Sequence, residues 1–377
     1  MAGVLKGLKV LDFSTLLPGP MATLFLTESG AEVVKVERPG RGEDMRSYPP
    51  FFGTSGSNFA LLNRGKKSLA LDLKDPAAVN AILPLAAEAD VIVEQFRPGV
   101  MDRLGLGYEA VRAANPDIIY CSITGYGQTG PGHLRAGHDL NYISETGLLA
   151  LGLGTKDVPT IPPALIGDIA GGTYPAIFNI LLALIHRDRT GEGAHLDISM
   201  SDNLFPFAYW AIGQGEVTGD WPGSGDGLIT GGSPRYRLYP TVDGRFAAVA
   251  ALEQKFWMTF CEAIGLDDAL RNDAAEPEAT AAGVAAIIAA RPAAHWETVF
   301  DTADCCCTVV RTLSEAMRSK HFRTRGLFDA RVASPDGAEI TAMPVPVARQ
   351  FRADADGVRP YPELGQNNDD LLSDRDV

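Results

Sequence analysis

At 377 residues the chain exceeds the usual size of a single hydrophobic core, so a large domain with a smaller one attached is expected. Its formal charge of −14, from 47 acidic against 33 basic residues, argues against a nucleic-acid binder and obliges any polyanionic ligand to meet a local basic cluster. Five cysteines, three of them consecutive (Cys305, Cys306, Cys307), make neither a disulfide framework nor a zinc spacing, so no metal is expected and a reducing cytoplasm fits best.

The first half alternates strands with helices. LKVLDF reads as a strand, STLLPGP as a turn, MATLFLTESG as a helix closing on Gly30, and AEVVKVE as a second strand, which is a βαβ unit. Asp12 lies inside what would be the apolar segment of a signal peptide, so none is expected. SLALDL follows, then a helical DPAAVNAILPLAAEA with Asp75 as N-cap and Pro76 as first helical residue, then DVIVEQF, a further helical region and DIIYCSITGYG. Strands separated by helices of this length predict a parallel sheet covered on both faces, the α/β class. The apolar run YPAIFNILLALI has twelve residues and contains Asn179, short of the ~20 that span a bilayer, so a soluble protein without membrane contact is expected.

Past Gly191, HLDISM reads as another strand, and Asp202 to Gly227 is aromatic and glycine-rich. TGGSPRYRLYPTVDGRFAAVAALEQKFW reads as a hairpin turning at Asp243-Gly244 and leading into a helix. The alanine-rich AAEPEATAAGVAAIIAARPAA is periodic enough to be helical, and a second Asp-Gly, at Asp336 and Gly337, marks the tail. The expected division is a large domain over 1–200, a linker over 201–225, a small α+β domain over 226–322, and a return to the large domain over 323–377.

The first turn lacks the GxGxxG that lets pyrophosphate approach a helix N-terminus, so a nicotinamide cofactor is not expected. P-loop, HExxH and complete GxSxG motifs are likewise missing. Basic residues do group beyond the strand ends: Arg38, Arg41 and Arg46 in VERPGRGEDMR, Arg64, Lys66 and Lys67 in LNRGKKS, Arg97 and Arg103 in FRPGVMDR. Any one alone reads as solvated surface charge. Together, in so acidic a chain, they point to a phosphate-bearing ligand at the carboxyl ends of a parallel sheet.

VVKVERPGRGEDMR, LNRGKKSLALDLK, RPGVMDRLGLGYE, SITGYGQTGP and RTGEGAHLDISM resemble, in this order, the signature segments of the family III CoA-transferases. That group contains formyl-CoA transferase, carnitine-CoA transferase and α-methylacyl-CoA racemase. The resemblance implies a Rossmann-like large domain, a small domain, an interlocked homodimer, and coenzyme A as part of the substrate with no other cofactor. GHDLNY resembles the racemase branch, whose histidine there, His138, is an acid/base; IGDIAGG resembles the segment carrying the family's essential aspartate, Asp168. GGSPRYRLY and AALEQKFW also resemble racemase segments, the latter placing a catalytic-type glutamate at Glu253. Tyr126, Gly137 and Asp139 join Arg38, Arg41, Arg46, Arg64, Arg97 and Arg103 as expected CoA contacts. Gln254 stands where racemases often have proline, and CCCTVVRTLSEA lacks a usual proline, which leaves the acyl group open.

Inverting a carbon next to a thioester needs a base on each face of a planar enolate and stabilisation of its oxygen. His138 and Asp168 would supply the faces, with Asp139 as N-cap of a helix LNYISETGLLAL beside His138 and Glu253 orienting His138 or relaying its proton. A transferase would instead use Asp168 as a nucleophile forming an acyl anhydride, and an inactive CoA-binding or dimer-scaffold protein would use none of the three. From the residues alone, Asp168 also reads as an N-cap, Glu253 as a first-turn acid and His138 as a surface or packed histidine.

Overall fold

The computed structural model describes residues 3–373 apart from 153, 156, 157 and 354–356. The six segments read as strands form β1 (Lys9–Asp12), β2 (Glu32–Glu37), β3 (Lys67–Ala70), β4 (Val91–Glu94), β5 (Ile119–Thr124) and β6 (Ala194–Ser199). All pair in parallel, in the spatial order β6-β5-β4-β1-β2-β3. This is the doubly wound Rossmann-like order, whose direction reverses between β1 and β4. Strands such as IYCSIT are buried along their whole length because helices cover the sheet. Pro18–Glu28 links β1 to β2, and Pro76–Glu88 links β3 to β4; Asp75 Oδ1 caps the latter by accepting the Ala77 amide at 2.9 Å.

The twelve-residue apolar run extends into a longer element than its composition suggests. Gly167–Thr173 is a π-helix that continues as the α-helix Tyr174–Thr190, packed on β5 and β6. An 18-residue window within the combined 24 residues reaches a mean hydropathy of 1.5, so by length and composition the whole element could cross a membrane, which the twelve-residue run alone is too short to do. One side buries Ala176, Ile180, Ala183 and Leu184, while Tyr174, Phe178, Leu181, Leu182 and Ile185 are exposed.

The chain divides into two compact units. The first comprises Met1–Glu145, Ala164–Phe205 and Lys320–Val377; the second comprises Thr146–Pro163 and Pro206–Ser319. Most of the stretch expected as a linker is helical, with Asp202–Ala208 a 3-10 helix and Tyr209–Thr218 an α-helix. Its aromatic and glycine content is packing rather than flexibility: a Cβ at Gly215 would lie 2.3 Å from the Trp221 ring. In the second unit, Tyr236–Pro240, Phe246–Ala250 and Cys307–Val309 form an antiparallel sheet over a core including Trp257, Phe260, Val284 and Trp296. Its hairpin turns at Asp243-Gly244, with Gly244 at φ 77°. The tail hairpin Arg331–Ala333 and Glu339–Thr341 turns through Gly337 and lies in the first unit.

Candidate active site

Two cavities open beyond the carboxyl ends of the strands, at the reversal between β1 and β4. One, of about 320 Å³, brings together Thr15 and Leu16 after β1, Gln95 to Arg97 after β4, Thr124 at the end of β5, His138 and Asp168. The other, of about 300 Å³, has an apolar lining of Phe13, Val36, Leu71, Leu73 and Leu104, with Arg38, Asp44 and Lys74 also on its walls. Thr15 and Phe96 belong to both, so the cavities adjoin.

His138 is exposed and is held through its backbone. Its amide donates to Asn141 Oδ1 at 3.0 Å and its carbonyl accepts the Asn141 amide at 2.8 Å, so His138 itself opens the helix Asp139–Glu145. Tyr142 Oη donates to Gly137 O at 2.6 Å, and its ring meets Tyr126 edge-on at 5.4 Å. A Cβ at residue 137 would lie 2.7 Å from the Tyr142 ring, so glycine is required beside His138. Tyr126 donates to Glu145, which also takes two bonds from Arg135 at 2.7 and 2.8 Å. Tyr126 and Gly137, expected as CoA contacts, therefore also shape this loop.

Asp139 does something other than cap its own helix, which ends at Glu145 rather than continuing to residue 151. Its Oδ1 accepts the Asp168 amide at 2.9 Å, and the Gly167 amide bonds to it too, so Asp139 caps the π-helix from across the site. The N-cap position of that π-helix is Ile166, and Asp168 lies inside its first turn. That removes its N-cap reading. Burial, and then the Asp139 carboxylate nearby, push the Asp168 carboxyl up to about 7.

The arginines separate into two groups. Arg38 is exposed at the second cavity, donating to Gly42 O at 2.7 Å and pairing with Asp44, and Arg97 is exposed at the first. Arg41 and Arg103 are exposed but line neither. Arg46 and Arg64, read from sequence as phosphate ligands, are instead buried in structural ion pairs. Arg46 takes both oxygens of Glu37 at 2.7 Å and lies 3.8 Å over the Phe59 ring; Arg64 bonds Glu28 at 2.8 Å and the carbonyls of Leu61 and Met343. Lys66 is likewise buried, 3.0 Å from Asp12. The sequence grouped these cations correctly but could not show that acidic partners from β1, β2 and the first helix neutralise three of them.

The shared wall at Thr15 was not anticipated. Lys35 Nζ donates to Ser14 O at 2.8 Å, Glu43 Oε2 accepts the Leu16 amide at 2.9 Å, and these two buried side chains lie 3.4 Å apart. At the second gripped group the chain turns left-handed, with Leu16 at φ 61°. Such a conformation in a leucine costs about 1–2 kcal/mol and needs surrounding structure to hold it. Across the gap, Glu94 accepts the Phe96 amide at 2.8 Å and fixes the turn carrying Phe96 and Arg97; burial raises its carboxyl to about 7.

Glu253 belongs to the second unit, where it is exposed and precedes the helix Gln254–Ile264 without a capping bond from its side chain.

The model of CoA-transferase family III matches residues 5–368. The chain belongs to the CoA-transferase family III. The collinear segments from VVKVERPGRGEDMR to RTGEGAHLDISM are thus those of a family III chain. It is 34% identical over 375 residues to the α-methylacyl-CoA racemase of Mus musculus, covering 98% of this chain and 92% of that one. It is 39% identical over 274 residues to the human succinyl-CoA:glutarate CoA-transferase, covering 71% of this chain and 61% of that one. A family III fold also emerges from the crystal structure of a CAIB/BAIF family protein from Brucella suis, with TM-score 0.83, 27% identity and full coverage of both chains.

Proposed function

We propose that this family III protein inverts the α-carbon of a 2-methylacyl-CoA thioester by two-base proton transfer, with His138 and Asp168 as the bases. The observation that carries this reading is their meeting in one cavity, with an Asp168 carboxyl raised to about 7, where it accepts and returns protons near neutral pH. Similarity to the mouse racemase over 98% of the chain favours this chemistry. The nucleotide end of CoA is assigned to the apolar second cavity, with Arg38 and Lys74 toward its phosphates; the pantetheine passes Thr15 and Phe96 to the thioester. Arg97 stands at the wall of the first cavity, toward the same chain of phosphates. No cofactor beyond the CoA of the substrate enters this scheme.

The exposed apolar side of Gly167–Thr190, with Phe178 and Leu182 63% and 47% exposed, is a face that water solvates poorly. We assign it to a second copy in a cytoplasmic homodimer. A transferase reading, in which Asp168 attacks the thioester carbonyl and forms an anhydride, draws on the 39% identity to the human glutarate enzyme.

A panel of acyl-CoA thioesters in deuterated water separates the two. The racemase exchanges deuterium into C2 without an acceptor acid, and both epimers reach one mixture. Hydroxylamine trapping of Asp168, with no exchange at C2 across the panel, would replace it with the transferase.

A further inference from the structure

Glu94 ends β4 and is 4% exposed, in a strand whose other residues, Val91, Ile92 and Val93, are buried and apolar. The parallel register sets it opposite Ser122 on β5, and sets His195 on β6 opposite Tyr120, two residues before Ser122. Residues two apart on a strand share a face, so all four side chains stand on one side of the sheet. There Glu94 hydrogen-bonds Ser122, and Ser122 Oγ lies 3.1 Å from His195 Nε2. The imidazole is stacked on Tyr108 at 4.8 Å and meets Tyr120 edge-on at 5.5 Å. At its other end the string reaches the Phe96 amide, which donates to Glu94 Oε2 at 2.8 Å.

A carboxyl in this place does not serve stability. Burial is the main cause that lifts it to about 7, Asp102 on the helix Val100–Arg103 adds to the rise, and the bonds from Ser122 and Phe96 oppose it. The other titratable or charged groups facing the string are Tyr120 and Cys121 on β5, Tyr108 and Glu109 on the helix Tyr108–Ala114, Asp197 on β6, and Arg97 at the wall of the adjoining cavity. Because the folded protein binds the Glu94 proton more tightly than the unfolded chain, the carboxylate weakens the fold above about pH 7. Glutamine would fill the same outline, keep an oxygen for the Phe96 amide and lack that penalty. What only the carboxylate adds is strength in the bond to Phe96, since a charged acceptor binds an amide about twice as strongly as a neutral one. Phe96 is a wall of both CoA cavities, and Arg97 lines the first.

We propose that Glu94 is a positioning residue for coenzyme A, whose carboxylate grips the Phe96 amide and so holds the Phe96–Arg97 turn where the two cavities adjoin. Ser122 and His195 orient that carboxylate. A carboxylate only accepts hydrogen bonds, so Ser122 gives it the hydroxyl proton and in turn accepts from His195 Nε2, which leaves each group a single role. The inference rests on the assignment of these cavities to CoA, and it holds for inversion and for transfer alike.

Titration calorimetry of free CoA against the wild-type protein and Glu94→Gln, at about pH 6 and about pH 8, tests this. Glutamine stands in for the protonated acid. The CoA phosphates, His138 and Asp168 titrate in both proteins, so the ratio of the two affinities isolates Glu94. The expected result is that Glu94→Gln binds CoA about 5-fold more weakly at pH 8, the difference between a charged and a neutral hydrogen bond, and within a factor of about two of wild type at pH 6. Its Tm at pH 8 should be unchanged or higher. A purely structural glutamate predicts instead that Tm and affinity fall together at both pH values. Equal affinities at pH 8, or tighter binding by the variant because the carboxylate repels the phosphates, would overturn the proposal. A wild-type protein that binds CoA but neither exchanges C2 nor transfers CoA would remove the proposed reaction and leave the role of Glu94 standing; one that does not bind CoA would remove both.

Discussion

Replacing Asp139 with asparagine asks whether Asp168 is the group that titrates during turnover. Asparagine keeps an oxygen for the Asp168 amide, now 2.9 Å from Asp139 Oδ1, and replaces the charge and the second oxygen with a neutral amide. The Asp168 carboxyl stands at about 7 against an ordinary 3.8, a gap of about 3 pH units, with burial the larger cause and the Asp139 carboxylate the smaller. The charge therefore supplies less than half of that gap, and Asp139→Asn should lower the Asp168 pKa by no more than ~1.5 pH units, or ~2 kcal/mol. The assay is kcat/KM for C2 exchange, measured for each epimer separately from about pH 5 to 9. For the epimer that Asp168 deprotonates, the rate should rise with pH through about 7; for the epimer it protonates, the rate should fall through the same region. In Asp139→Asn both limbs should move to lower pH together. Limbs that stay in place, or an inflection in the ordinary carboxylate range already in the wild type, would refute the coupling and the role it supports.

The raised Asp168 carboxyl also has a sign in stability. Because the folded protein binds that proton more tightly than the unfolded chain, the carboxylate weakens the fold above about pH 7, and the penalty vanishes as pH falls toward 3.8. Asp168→Asn should therefore end turnover yet stabilise the protein at pH 8 by as much as ~4 kcal/mol and hardly at all at about pH 4, by calorimetry; destabilisation at pH 8 would contradict the burial argument. Arg38→Ala with Arg97→Ala should weaken CoA binding in titration calorimetry, most at low salt, with little change in stability. Arg46→Ala leaves Glu37 buried without its guanidinium and should cost roughly 3–5 kcal/mol in urea unfolding. Phe178→Glu with Leu182→Glu should move sedimentation toward monomer, and an unchanged profile would place the partner elsewhere.

The strands and turns were legible because their signals are local. Valine-rich runs such as EVVKVE and DVIVE suit strands of a covered parallel sheet, and Asp75-Pro76, Asp243-Gly244 and Asp336-Gly337 carry their geometry within two residues. The helices within 201–225 were not legible, for the converse reason. Glycine at 215 signals loop by composition, but the side chain it lacks is the space Trp221 occupies, a fact that depends on a residue six positions away. The apolar run had the same difficulty: its periodicity marks Tyr174 to Ile185 as helical, while the segment IGDIAGG, rich in glycine and interrupted by Asp168, gives no sign that it is a π-helix continuous with it.

At the site, the legible residues are those whose chemistry is unusual for their position, and the illegible ones act through the backbone. His138 and Asp168 announce themselves by type and neighbourhood, whereas Lys35 and Glu43 look like ordinary members of an amphipathic strand and a charged loop. Their effect is to hold a carbonyl and an amide two residues apart, Ser14 O and Leu16 N, which leaves Leu16 at φ 61° and turns Thr15 into the boundary between two cavities. Burying two opposite charges contributes little net stability, because desolvation offsets most of their attraction. Its consequence here is geometric. The same reasoning accounts for Arg46 and Arg64: cations clustered in sequence met buried carboxylates from Glu37 and Glu28 before they met solvent, leaving Arg38 and Arg97 exposed at the cavities. In an acidic chain the carboxylates decide which cations remain free for a phosphate, and that selection is made by tertiary packing, beyond the reach of charge counting along the sequence.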